Sequence, residues 1–161
     1  MKITLQLMRV EDKPLLVRLL ELYNYEFTAY DNSDINESGC FERDPIDDYW
    51  IVKDHYPYLI RVDGKIAGFA LVCPRCRFIN GENTRSIGEF FVLLKYRRMG
   101  IGQWVATELF NKHNGIWEVC YFRNNIPASK FWKKVIKKFT GNHYKLCGEN
   151  DKIQIGYTFQ S

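Results

Sequence analysis

The chain has no apolar run approaching the roughly 20 residues that a membrane-crossing helix needs; its longest are a few residues, so no membrane partner is expected. The amino-terminal stretch MKITLQLMRVEDK interrupts its apolar character at Thr4 and Gln6 and is charged by Arg9. It lacks the core of a secretory signal, and a cytoplasmic setting is the expectation. Five cysteines (Cys40, Cys73, Cys76, Cys120, Cys147) are an odd number at irregular spacing, a poor disulfide framework for a chain of this size, so reduced thiols are expected. The Cys73-Pro-Arg-Cys76 pair has no second pair, and His55, His113 and His143 are widely separated. No four-ligand zinc set is present and no metal is expected. Neither sign of charge predominates: 23 Lys+Arg against 19 Asp+Glu give +4, too little and too dispersed to require nucleic acid. Lys133, Lys134, Lys137 and Lys138 read as a solvated helix face. Repeats, low-complexity tracts and Gly/Ser/Pro linkers are also missing, so residues 1–161 are expected to form a single domain.

What the chain does have is apolar residues in 46% of positions and aromatics in 16%, enough to offset the entropy of ordering. Ile3, Leu5 and Leu7 alternate with polar residues as in a half-buried strand. Leu15, Leu16, Leu19, Leu20, Tyr23 and Phe27 fall at helical spacing after Pro14, predicting a helix to about Phe27. Residues 30–48 are polar and aperiodic, a long loop with one short helix near 45–52. The runs 58–62 and 65–73 flank Asp63-Gly64, a tight hairpin turn, and 86–94 is again strand-like. Helical periodicity over 101–110, an apolar run at 116–122, a second amphipathic pattern entered through Pro127, and two short runs at 144–147 and 153–159 complete the chain. The expected fold is α/β (α+β): a mixed, mostly antiparallel sheet of about seven strands, with its crossover pair parallel and four helices over both faces.

Between the strand ending near Leu94 and the helix starting near Gly102 lies Arg97-Arg98-Met99-Gly100-Ile101-Gly102. A helix amino terminus presents unpaired N–H groups and a partial positive charge, and glycines let that backbone approach phosphate oxygens. With two arginines beside it, the hexapeptide reads as a pyrophosphate cradle; the alternative is a plain turn with a solvated basic face. No Gly-Lys-Ser/Thr follows, as a nucleoside triphosphate would need, and the third glycine and distant acidic residue of a dinucleotide fingerprint are missing.

These residues resemble the GNAT superfamily of acetyl-CoA-dependent N-acetyltransferases. Arg97-x-x-Gly100-x-Gly102 fits its Gln/Arg-x-x-Gly-x-Gly/Ala motif, Glu89-Phe90-Phe91-Val92 looks like its central strand, and Asn125-x-x-Ala128-x-x-Phe131-Trp132 is similar to its NxxAxxFY element. The resemblance implies that the central strand bulges and parts from its parallel neighbour, so that backbone near Phe91, Val92 and Leu94 binds pantetheine as another strand would. It further implies that the pyrophosphate rests on the amides of Arg97, Arg98, Met99, Gly100, Ile101 and Gly102, and that the Val92 amide stabilises the developing oxyanion. Glu89, placed just before the bulge, is the candidate base for an amine acceptor, with a salt-bridged or surface glutamate as the other reading.

Two departures stand out. Trp132 replaces the tyrosine that usually protonates the leaving thiolate, and an indole N–H is no practical acid; Tyr121, Tyr144 or water remain as sources. Val135-Ile136-Lys137 stands where Gly-Phe commonly follows. Asn125 is a pantetheine ligand or a helix cap. The expected function is direct transfer of an acetyl group from acetyl-CoA to the amine of a small molecule or protein, the alternative being a weakly active or inactive acyl-CoA-binding module. A homodimer is compatible with the sequence, which sets no stoichiometry.

Overall fold

The computed structural model describes all 161 residues. In chain order the elements are β1 (Ile3–Leu7), α1 (Lys13–Asp31), α2 (Asp48–Ile51), β2 (Tyr56–Val62), β3 (Lys65–Cys73), β4 (Thr84–Val92), α3 (Ile101–Lys112), β5 (Ile116–Phe122), α4 (Ile126–Thr140), β6 (Lys145–Cys147) and β7 (Gln154–Gln160). One seven-stranded sheet runs in the order β1-β2-β3-β4-β5-β7-β6, antiparallel except for β4 beside β5. The four helices and seven strands match the sequence reading, and no helix is long and apolar enough to cross a membrane. Differences lie at element ends. Helix α1 runs four residues past Phe27, stopping where Asn32 turns left-handed at φ 58°. Strand β4 stops at Val92, and Leu94–Tyr96 forms a 3₁₀ turn, so Leu94 is not a strand residue.

Each face of the sheet carries its own apolar core. Helices α3 and α4 cover one face, where Val105, Ala106, Leu109, Phe110, Val135 and Ile136 pack on Ile60, Ala70, Val72, Trp117 and Val119. On the other, Leu16, Leu19, Leu20 and Tyr23 of α1 meet Leu59, Phe69, Leu71 and Phe91. Burial of such side chains stabilises by about 1.5–3 kcal/mol each before entropy is set against it. The two layers pin the middle strand, β4, from both sides. The β2–β3 hairpin closes through Asp63 (φ 49°) and Gly64 (φ 77°), the two left-handed residues of a primed turn.

Candidate active site

Strand β4 pairs with β3 on one edge, and the register slips once: Leu71 faces Glu89, but Val72 faces Ile87, leaving Gly88 as the extra residue. An added Cβ at Gly88 would lie 2.7 Å from the Tyr49 hydroxyl, so the bulge is closely packed. It precedes Glu89, where the sequence reading had expected it to follow. On its other edge β4 pairs with β5 only from Thr84 to Ser86. Beyond that the strands part, while β5 remains paired with β7 as far as Phe122. Leu93 N–H donates to the Ala67 carbonyl at 2.8 Å, so by strand alternation Val92 directs its own N–H and C=O into the gap.

After β4 the chain enters the glycine loop. Arg97 departs from expectation: its amide donates to Leu94 O at 3.2 Å, its Nε to Val92 O at 2.6 Å, and its Nη2 to both Glu26 carboxylate oxygens at 2.8 and 2.6 Å. A carboxylate on α1 therefore engages this guanidinium, which fastens the end of β4 to that helix. Arg98 and Met99 are exposed, and Gly100 caps α3 at φ 81°, in the left-handed region that favours glycine. The first helical bond is Trp104 N–H to Gly100 O at 3.0 Å, leaving the amides ahead of it as free donors. Gly102 is a glycine for another reason, since a Cβ there would meet the Phe131 ring at 3.1 Å. The Ile101 side chain is buried in the core, so only its amide faces outward.

A cleft of about 820 Å³ runs from this loop, past Leu94 and Val92, to Phe90 and Trp132. It continues into a second cavity of about 420 Å³ that shares Tyr23, Phe27, Phe90, Asn125, Ala128 and Trp132 and adds Glu89, Asp31, Arg75 and Tyr121. Burial lifts the Glu89 carboxyl from 4.5 to about 7, with the Asp44 charge adding to the rise and the Tyr23 hydroxyl opposing it. A carboxyl in that range is poised to exchange a proton near neutral pH.

The chain matches the model of the Acetyltransferase (GNAT) family over residues 17–136. It belongs to that family. An acetyltransferase of GNAT family from Staphylococcus aureus is 15% identical, with 98% of this chain and 99% of that one covered at a TM-score of 0.64. An acetyltransferase from Thermus thermophilus is 10% identical over 100% and 98% of the two chains at 0.71. A putative streptothricin acetyltransferase from Bacillus anthracis, in complex with acetyl coenzyme A, is 14% identical over 100% and 99% at 0.61. At these identities the structures show the shared fold. No curated protein matches the chain.

Within the GNAT frame, the chain is an N-acetyltransferase enzyme, and four further residues are placed. Asn125 is the N-cap of α4: its Oδ1 accepts the Ala128 N–H at 3.0 Å, so the cap alternative accounts for its oxygen even though the residue lines both cavities. Trp132 is 5% exposed and packs edge-on against Phe90 and Phe131; it walls the junction of the two cavities. Of the two tyrosines, Tyr121 lines the second cavity and its hydroxyl meets those of Ser129 and Tyr157, whereas Tyr144 packs on Tyr157 away from both. The Cys73 thiol turns to Ser86 and the Arg75 carbonyl, and that of Cys76 to the Arg85 carbonyl. Sequence reasoning missed Glu26 and Asp31, which sit at unremarkable helical positions, and Arg75 in the β3–β4 connection.

Proposed function

We propose that residues 1–161 form one acetyltransferase domain that moves an acetyl group from acetyl-CoA directly to an amine. The observation that carries this reading is the junction of the two cavities at the gap between β4 and β5, with free loop amides at one end and Glu89 at the other. The donor supplies an activated thioester. The amides of Arg98, Met99, Gly100, Ile101 and Gly102 would hold its pyrophosphate at the positive end of α3, with the exposed Arg98 adding charge. Phe91, Val92 and Leu94 line the path for the pantetheine arm, which extends the sheet where β5 has parted from β4. Val92 N–H donates to the negative charge that develops on the acyl oxygen; loss of one such donor typically costs about 10²–10³ in rate. Glu89 accepts the acceptor's ammonium proton, and Tyr121, which lines the second cavity, returns one to the thiolate directly or through water. Five unbridged thiols suit a reducing, cytoplasmic setting.

Acetyl-CoA-dependent thiol release with a panel of small amines and amino-terminal peptides tests the proposal. The expected result is saturable release with at least one amine class, together with a rise in melting temperature with acetyl-CoA but not with ATP or NAD. Binding without turnover across the panel would overturn the transfer reading, and absence of binding would overturn the cradle.

A further inference from the structure

Beyond the proposed transfer machinery, the far wall of the second cavity holds a cluster with different chemistry. Cys120 on β5 and Cys147 on β6 flank β7, and both stand opposite Gly156. With no side chain at Gly156, nothing separates the thiols; a Cβ there would lie 2.8 Å from Cys120 Sγ. Glu118 is two residues before Cys120 and so on the same face of β5. A carboxylate oxygen of Glu118 and the two sulfurs all lie within 4.8 Å of one another. Glu118 is 2% exposed and accepts three backbone amides: Arg77 on Oε1 at 2.6 Å, and Phe78 and Ile79 on Oε2 at 2.8 and 3.0 Å. Oε1 keeps a lone pair, and no cationic side chain is paired with this carboxylate.

We propose that Cys120, Cys147 and Glu118 form a binding site for a soft divalent cation of the Zn²⁺ type. A disulfide does not fit. With β7 between them, the two Cα atoms are about 10 Å apart at ordinary strand spacing, beyond the roughly 7 Å that a bridge tolerates. A metal ion spans more, since two bonds of about 2.3 Å hold sulfurs nearly 4 Å apart. Binding forms two metal–sulfur bonds and one metal–oxygen bond and releases both thiol protons; no electrons are transferred. Cys120 and Glu118 line the second cavity, so the fourth position opens toward it, and an ion there narrows the space assigned to the acceptor. That last consequence rests on the proposed function; ion binding itself does not.

The experiment titrates the reduced full chain with Cd²⁺ and Zn²⁺. It follows the thiolate-to-Cd²⁺ ultraviolet band, proton release in weak buffer and protection of thiols from alkylation. The expected result is one ion per chain with two protons released, weakened at least tenfold in Cys147→Ser and Cys120→Ser and unchanged in Cys40→Ser and Cys76→Ser. Absence of stoichiometric binding by the unaltered chain would overturn the site, as would binding that survives Cys147→Ser. Should a serine variant fail to fold, the band, the proton count and the protection pattern of the unaltered chain decide the matter. An acceptor KM raised by Zn²⁺ at unchanged acetyl-CoA affinity supports both assignments. Ion binding with no effect on acceptor kinetics would keep the site and overturn only the placement of the acceptor.

Discussion

Replacing Glu89 by Gln should slow transfer and stabilise the fold, two effects of opposite sign from one cause. Burial lifts the Glu89 carboxyl from 4.5 to about 7, so ionising it in the folded chain is unfavourable by at most about 3 kcal/mol, at 1.36 kcal/mol per pKa unit. A raised carboxyl favours the fold when protonated. That contribution is intact below the unfolded value of 4.5 and is lost as pH rises through about 7. The glutamine variant has no such loss, so its stability should exceed that of the parent by up to about 3 kcal/mol above pH 8 and converge with it below about pH 4.5. In kinetics, kcat of the parent should fall tenfold per pH unit below about 7, whereas Glu89→Gln should lose that limb and about 10²–10⁴ in rate. Denaturant melts and initial rates across pH 4.5–9 measure both. Parallel stability profiles for the two proteins, or a parent kcat that stays flat through pH 7, would refute a half-buried, rate-determining carboxylate.

Gly100→Ala should weaken acetyl-CoA binding and cost about 1–2 kcal/mol through its left-handed backbone, read from the donor KM and a thermal melt. Gly102→Val should cost about 1–3 kcal/mol by overpacking Phe131, with donor affinity falling as α3 shifts; equal stability would show that the ring yields freely. Tyr121→Phe should lower kcat while leaving the acetyl-CoA dissociation constant unchanged, as calorimetry would show; unaltered kcat assigns thiolate protonation to water. Asn125→Ala should lose about 1 kcal/mol as α4 loses its cap, with acetyl-CoA affinity little changed, and a collapse of affinity instead would make its amide a donor ligand.

The strands were legible because each announced itself by composition and each turn by its residues: Asp63-Gly64 can do little else between two β-branched runs. The glycine loop was legible for the same reason, since Gly100 at φ 81° is the glycine that its left-handed backbone demands. The insertion of β7 between β5 and β6 was not, since it is set by tertiary pairing. Gly102 shows the limit of motif reading. Its motif position is correct, yet the contact that excludes a side chain is Phe131 of α4, brought there by the fold. Arg97 shows it more sharply. Its partner, Glu26, lies 71 residues away on the polar stretch of α1, and no local pattern distinguishes an arginine that faces phosphate from one that fastens a strand. The cysteines behaved likewise: the pair with suggestive spacing, Cys73 and Cys76, is separated by its hydrogen bonds, while Cys120 and Cys147 meet because β7 pairs with both their strands.

Position along β4 decides which face a residue serves, and the bulge changes the count. Ile87 pairs with Val72, which belongs to the α3–α4 core, whereas Glu89 pairs with Leu71, which belongs to the α1 core. In a regular strand residues two apart share a face, so without the bulge at Gly88, Glu89 would lie on the side of Ile87, among Val105, Trp117 and Ile136. A carboxylate there would have no water and no partner. Gly88 shifts the alternation by one, which turns Glu89 toward Tyr23 and the second cavity, and leaves Phe90 against Trp132. It also keeps Val92 in register opposite Gly68, where an added Cβ would strike the Phe91 carbonyl at 2.0 Å. Two glycines on adjacent strands thus set the direction of Glu89 and the position of the Val92 amide, and both depend on what the position excludes rather than on any side chain it supplies.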